Sequence, residues 1–470
     1  MSLVDEIAGI IGARHVLRGA DMAPYAQDWT GKYKSRPRAV LRPGNTQEVA
    51  EIVKRAAAEG AAIVPVGGNT GLAGGTMNEG ALMISLSRLN RIQEINRAAR
   101  TARVEAGVVL ASLHEAAGAE GLSFPLTFGA RGSATVGGVL STNAGGSNVL
   151  RYGNARALCL GIEAVLPSGE VMDLMSPLHK DNTGYDLRDL MIGAEGTLGI
   201  ITAAMLKLVP APRAHATALV ASASLEEALE LLNRLQEESD GAVEAFEFMP
   251  GTYMESLARH RPDLKPPFSQ IHEVNILVEA ASASPRAAIP GADGRLPLDA
   301  LMESALGEML ENGAVIDAVI AHSESQRAHL WAMREAAAEI TFTRRPIVDN
   351  DIALPLDRVA AFFARAEERL DALDPGAETI SVAHLGDGNI HYAVYPTRDD
   401  PAHLDAIRGM VEDVVAELGG SFSAEHGIGL SKLATMARRK DRAALGMMRA
   451  IKAAVDPHNI MNPGKLLPES

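Results

Sequence analysis

The chain has 470 residues, 47% of them apolar, which is too long for one hydrophobic core and too apolar for disorder, so two or three packed units are expected. Its 59 acidic and 44 basic side chains leave a net charge of −15, which argues against nucleic acid or an anionic membrane surface as the main partner. A single cysteine, Cys159, excludes a disulfide framework, an iron–sulfur cluster and a cysteine-based zinc site within one chain, so any metal must sit on His, Asp or Glu.

The first residues carry Asp5 and Glu6 and no long apolar run. No window approaches about 18 uncharged apolar residues. The expectation is a cytoplasmic protein without signal peptide or membrane span. Residues 1–39 read as a helical lead-in. Asn45 with Glu48 forms a capping-box signature, and Val49, Ile52, Val53 and Ala56 follow at helical spacing up to Gly60. Ala61–Val66 reads as a buried strand running into a glycine-rich loop. Ile162–Leu166 and Val171–Leu174 read as a hairpin about Ser168-Gly169. Pro210 and Pro212 mark a boundary. Beyond it, Leu225–Glu238, Leu301–Asn312 and Leu356–Leu373 read as helices, Gln270–Val278 as a strand, and 282–298 as an exposed loop. Thr379–Tyr395 reads as a β-hairpin. The final fifty residues read as a loop, one or two helices and a proline-containing tail.

Three segments combine glycine with small polar residues. Pro65–Gly75 reads PVGGNTGLAGG, which fits neither the Rossmann nor the Walker A spacing. It is a turn or a backbone cradle for an anion. Gly129–Gly146 reads GARGSATVGGVLSTNAGG. Ordering so much glycine is entropically costly, and a large ligand lying on the backbone would offset that cost. The third, Lys180–Thr202, reads KDNTGYDLRDLMIGAEGTLGIIT.

The hairpin carries a different chemistry. In TISVAHLGDGNIHYAVY, Asp387-Gly388 is a two-residue turn signal that predicts His384 directly opposite His391. Opposed side chains share one face with Cβ atoms about 4.5–5.5 Å apart, which suits two imidazoles on one metal ion. Glu425, in SFSAEHGIG, is the best third ligand for a His₂Glu set of the kind found in catalytic zinc sites. Its neighbour His426 can share the site only if the chain turns there, as Gly427 and Gly429 permit.

These segments resemble the FAD-binding domain of the vanillyl-alcohol oxidase/p-cresol methylhydroxylase superfamily. FPLTFGARGSATVGG and KDNTGYDLR resemble its D-2-hydroxyglutarate/D-lactate dehydrogenase branch, and HLGDGNIH, SAEHGIG and DPHNIMNPGK are similar to further motifs of that branch. The resemblance spans roughly residues 20–466 and implies an α+β chain. A PCMH-type FAD-binding domain at 40–212 would be followed by a FAD-linked oxidase cap domain at 213–420, with an antiparallel sheet and helices. Residues 421–470 would return to the FAD domain.

The resemblance also implies residue roles. Pro65, Gly67, Gly68, Asn69, Thr70, Gly71 and Leu72 would wrap the pyrophosphate of FAD. Ser85, Pro125, Leu126, Gly129, Gly132, Ser133, Gly137, Gly138, Ser141, Asn143, Ala144, Gly145, Tyr152 and Gly153 would contribute to the rest of the cofactor site. So would Glu195, Gly196, Gly199 and Ile201, with Asn462 approaching the flavin. No histidine stands in 67–72, so FAD would be held non-covalently. His384, His391 and Glu425 would ligate a divalent metal, zinc by expectation. His426 would be the catalytic base, and Arg334, in LWAMRE, would grip a substrate carboxylate.

The implied reaction is oxidation of a small D-2-hydroxy acid to the 2-oxo acid. Three positions depart from the hydroxyglutarate enzymes. Ala338 replaces a threonine, Asp349 a lysine and Ala393 an asparagine, with Arg344 or Arg345 available to compensate. The electron acceptor is left open between a quinone, a partner flavoprotein and a cytochrome, and a homodimer is a family-level expectation. Two rival readings are a flavin oxidase of alcohols or sugars, and a flavin-binding subunit of a larger complex.

Overall fold

A computed structural model describes residues 2–469. Strands β1 (Val16–Leu17), β2 (Ala39–Leu41), β3 (Ile63–Val66) and β4 (Leu82–Ser85) form a sheet in the order β1-β2-β4-β3. The last three are parallel, and β1 joins β2 antiparallel. The lead-in is therefore helical only in part. Leu3–Ile11 is a helix, but Val16–Leu17 is the sheet's edge, a strand too short to show a period in sequence. The helix Thr46–Glu59 starts where the Asn45 side chain accepts the Glu48 N–H and stops at Gly60, which takes φ 64°.

β5 (Ile92–Asn96), β6 (Thr101–Glu105), β7 (Leu122–Ser123), β8 (Cys159–Val165), β9 (Val171–Asp173), β10 (Ile200–Lys207) and β11 (Val209–Pro210) follow. Five make an antiparallel sheet, β5-β6-β10-β8-β9, while β7 pairs with β11. β8 and β9 are the hairpin read around Ser168-Gly169. The first two glycine-rich segments pack directly on each other. A Cβ on Gly68 would lie 2.0 Å from the Ser133 carbonyl oxygen, so only glycine allows that backbone approach.

β12 (Ala214–Ser222), β13 (Val243–Pro250), β14 (Val274–Ser282), β15 (Val315–Ile320), β16 (Val348–Ala353), β17 (Glu378–His384) and β18 (Asn389–Tyr395) form one antiparallel sheet, ordered β15-β12-β14-β13-β17-β18-β16. Alternation along each strand splits its side chains between two cores. Phe246, Val278, Ile390 and Val394 face the helices Leu225–Glu238, Pro297–Glu311, Val359–Leu373 and Pro401–Glu417. Met249, Leu277, Val382 and Ala393 face Gly251–His260, Glu324–Glu335 and Ala337–Thr341. Several boundaries differ from the sequence reading by a few residues, among them Ala61, observed as Ile63, Ile162, observed as Cys159, and Leu356, observed as Val359. The strand expected from Gln270 begins at Val274, and the helix expected from Leu301 begins at Pro297, whose missing N–H costs nothing in a first turn.

The last fifty residues join both halves. Ser421 bridges Ala353 at the cap-sheet edge, and Met461 bridges Ile63 beside β3. Between them lie helices Leu433–Arg439 and Arg442–Val455. Among the described residues, no helix is long and apolar enough to cross a membrane.

Candidate active site

The apolar pattern on one face of the cap sheet is broken by a polar row at its end. Glu247 on β13 lies opposite His384 on β17, and Asp351 on β16 lies opposite His391 on β18. The hairpin register corrects the sequence reading: His384 pairs with Asn389, and His391 with Val382. The turn spans Leu385–Gly388 rather than two residues, with the Gly388 N–H donating to the His384 carbonyl and the Asn389 N–H to Asp387 Oδ1. The slip is two residues, so side-chain parity survives and the two histidines stay on one face as diagonal neighbours. Their ring centroids are 5.5 Å apart, edge to face.

Glu425 and His426 reach this row from the irregular segment after Ser421. Gly427 and Gly429 adopt φ 76° and 50°, so the chain turns as their spacing suggested. Glu425 Oε1 lies 3.9 Å from His384 Nε2, 3.3 Å from His391 Nε2 and 3.7 Å from His426 Nε2. Thus all four residues singled out from sequence converge. One possible ligand atom from each of Asp351, His391, Glu425 and His426 lies within 4.8 Å of the others, and His384 closes the cluster from the β17 side. Gly145 of the second glycine segment abuts it: a Cβ there would be 2.7 Å from Glu425 Oε2.

Two buried carboxylates escaped the sequence reading, and both stand behind the cluster. Glu247, fully buried, accepts from His384 Nδ1 at 2.8 Å and pairs with Arg334 Nε at 2.8 Å. This fixes the imidazole with Nε2 facing the cluster. Burial opposes ionisation of Glu247, but His384 and Arg334 hold its pKa below the usual range. Burial likewise opposes protonation of His384, yet Glu247 lifts it to about 8. Asp351 accepts the backbone N–H groups of Glu425 and His426 and the Lys432 ammonium, the last at 2.9 Å. It pins the Glu425–His426 segment to the sheet. Burial would raise the pKa of Asp351; the neighbouring imidazoles and Lys432 hold it well below normal. The signal for both was present as acids within otherwise apolar strands, in EAFEFM and in DNDIALP.

Arg334 is buried, and its Nη2 has no hydrogen-bond partner among the described residues. A buried guanidinium with a free donor beside the histidines is suited to a substrate carboxylate. Arg344 is committed elsewhere, to Glu378 at 2.5 Å and the Tyr395 ring, and Arg345 lies over Phe342. Asp349 is exposed and lies opposite Ala393, while Ala338 is exposed on its short helix.

On the flavin side, Thr135 Oγ1 and Asn462 Oδ1 are buried without partners among the described residues. Asn462 Nδ2 donates to the carbonyls of Gly75 and Glu195. The Glu195 carboxylate receives the N–H groups of Ile428 and Gly429 at 2.7 and 2.8 Å. Orphaned polar atoms between closely packed glycine segments fit a large polar cofactor on the backbone. Some expected cofactor residues also serve the protein itself. The Tyr152 hydroxyl donates to Glu244 on β13, the Asn143 Oδ1 accepts from the Arg156 N–H, and Asn69 bonds Thr76 and the Gln27 carbonyl.

Residues 37–175 match the FAD binding domain family, and residues 211–466 match the family described as FAD linked oxidases, C-terminal domain. The fold is shared with p-cresol methylhydroxylase, whose substrate-bound structure aligns with a TM-score of 0.75 at 16% identity over 99% of this chain and 96% of that one. Fold and family matches together define a FAD-dependent oxidoreductase. The D-2-hydroxyglutarate dehydrogenase of Xanthomonas citri pv. viticola is 36% identical over 453 residues, 95% of this chain and 93% of its own. The mitochondrial D-2-hydroxyglutarate dehydrogenase of Arabidopsis thaliana is 33% identical over 98% of this chain and 80% of its own. The chain belongs to this family of FAD-linked D-2-hydroxy acid dehydrogenases.

Proposed function

We propose that the protein oxidises a D-2-hydroxy acid to the 2-oxo acid at the His384/His391/Glu425/His426 cluster, with His384, His391 and Glu425 holding a divalent cation, zinc by our reading. The observation that carries this is the convergence of three imidazole Nε2 atoms within 3.9 Å of Glu425 Oε1, beside a buried arginine with a free donor. When bound, the cation polarises the substrate hydroxyl and FAD accepts the hydride from Cα. Arg334 binds the carboxylate and sets which face of Cα is presented. His426, whose Nδ1 is 3.7 Å from Asp351, takes the hydroxyl proton at Nε2 as general base. Glu247 and Asp351 orient these groups without touching substrate.

The substrate reading can be narrowed. With Ala338 and Ala393 offering no polar group, Asp349 carrying the wrong sign and Arg344 engaged by Glu378, these four positions offer a second substrate carboxylate no partner. We infer a preference for D-2-hydroxy monocarboxylates over D-2-hydroxyglutarate. The same reading includes a homodimer and a separate electron acceptor, either a redox protein or a quinone.

The test is anaerobic bleaching of the flavin by D- and L-2-hydroxy acids, paired with metal analysis. D-acids alone should bleach it. His384→Ala and Glu425→Ala should lose the metal, whereas His426→Ala should keep it and lose about 10²–10⁴-fold in rate. Bleaching that persists in metal-free protein refutes the metal's role. A higher kcat/KM on D-2-hydroxyglutarate than on D-lactate refutes the narrower substrate reading.

A further inference from the structure

The short helix Val149–Tyr152 lies in the FAD binding domain, yet its side chains engage the cap. Leu150 packs against the cap core. Arg151 Nη1 donates to the carbonyls of Ala242 and Ala281, at 3.3 and 2.6 Å, and to Glu244 Oε1 at 2.9 Å. The Tyr152 hydroxyl donates to the same Glu244 oxygen at 2.5 Å. The helix is also tied to its own domain. Just beyond it, the Ala155 N–H donates to the Ala144 carbonyl and the Arg156 N–H to Asn143 Oδ1. Asn143 and Ala144 belong to the second glycine-rich segment.

Glu244 reaches this helix because β13 is bulged. Val243 pairs with Ala280 and Ala245 with Glu279, so Glu244 is an extra residue in the ladder. A bulge re-aims a side chain, and here the carboxylate is buried against two donors of the other domain. Three residues further along β13, Glu247 holds His384. The turn after His384 meets the same helix. The Gly386 N–H donates to the Phe246 carbonyl, and a Cβ on Gly386 would lie 2.7 Å from Leu150 Cδ2. The two strands that carry Glu247 and His384 therefore both rest on Val149–Tyr152.

We propose that Glu244 is a positioning residue for hydride transfer: through Arg151 and Tyr152 it fixes the His384 end of the cap at a set distance from the flavin. This rests on the reading that the hydroxy acid binds at the His384 cluster. Domains within one chain move relative to each other unless their interface is large and apolar. A misplacement of about 1 Å between reacting groups can cost about 100-fold in rate. Glu244 engages Arg151 and Tyr152, so it acts on the rate of flavin reduction and not on substrate affinity.

The test uses the FAD- and metal-loaded protein. In anaerobic stopped flow over a range of D-2-hydroxy acid concentrations, Glu244→Gln should lower the limiting rate of flavin reduction about tenfold or more, with half-saturating concentration, FAD and metal content within about twofold of wild type. Tyr152→Phe, which removes one hydroxyl, should shift the rate the same way by less, and stands in if Glu244→Gln folds poorly. Amide hydrogen exchange needs no substrate. Residues 384–388 should exchange about tenfold faster or more in the variants, while the cap helix Pro401–Glu417 keeps its wild-type protection. Unchanged reduction rates, or unchanged exchange at 384–388, would overturn the proposal. So would exchange that rises equally across the cap, since Glu244 would then be holding the cap together rather than placing it. A wild-type flavin that no hydroxy acid bleaches defeats the substrate reading, and the exchange at 384–388 then decides by itself whether Glu244 fixes the His384 turn.

Discussion

Replacing Glu247 by glutamine tests whether one buried carboxylate organises both substrate-binding and metal-binding groups. It is wholly inaccessible and sits 2.8 Å from His384 Nδ1 and 2.8 Å from Arg334 Nε. His384 is hydrogen-bonded to one oxygen, and Arg334 faces the other as an ion pair. A glutamine of nearly the same size keeps one acceptor oxygen and turns an N–H₂ towards the other donor. Losing a charged hydrogen bond in a buried place costs about 1.5–3 kcal/mol. At 1.36 kcal/mol per decade, that is about a 10- to 150-fold fall in kcat/KM if the loss falls on the transition-state complex. Where the amide abandons His384, metal affinity should fall by about 10- to 100-fold, the usual effect of removing a carboxylate behind a ligand histidine. The assay is steady-state kinetics on a D-2-hydroxy acid, with metal content measured after dialysis against graded chelator. Glu247→Asp serves as the charge-keeping comparison. If Glu247→Gln retains its metal and stays within twofold of wild-type kcat/KM, the shared-carboxylate account is wrong.

Three other perturbations follow from single contacts. Gly145→Ala would put a methyl group 2.7 Å from Glu425 Oε2; the displaced carboxylate should lower metal content while FAD stays bound, read by metal analysis beside flavin absorbance. Gly68→Ala meets the Ser133 carbonyl at 2.0 Å, a backbone atom that cannot swing aside, so FAD retention should collapse in gel filtration while the cap domain keeps its far-ultraviolet signature. Asp374 is held at about 2 although burial would raise it, because Thr397 and His403 bond its carboxylate. Its folded pKa lies below the unfolded value near 4, so its contribution is present in full above about pH 4 and fades as pH falls through about 2. The melting-temperature gap between wild type and Asp374→Asn should accordingly be wide at pH 7 and shrink progressively from about pH 4 to about pH 2; a gap independent of pH would refute the linkage.

Local pattern was enough for several elements and for the chemistry they carry. The helix at 46–59 was legible because its cap, its apolar spacing and its closing glycine lie within sixteen residues and act on one another directly. The shared face of His384 and His391 was legible because strand parity survives a slip of two residues. The register itself was not, since it depended on the Asp387 side chain capping a longer turn and on Gly386 bonding the distant Phe246 carbonyl. Glu247 lies 137 residues from the histidine it orients, and Asp351 lies 74 from the Glu425 N–H it receives. Strand order decided both partnerships. Adjacent residues encode periodicity and turn chemistry, but which buried acid faces which imidazole is settled only when sheets close and every buried polar group must find a partner.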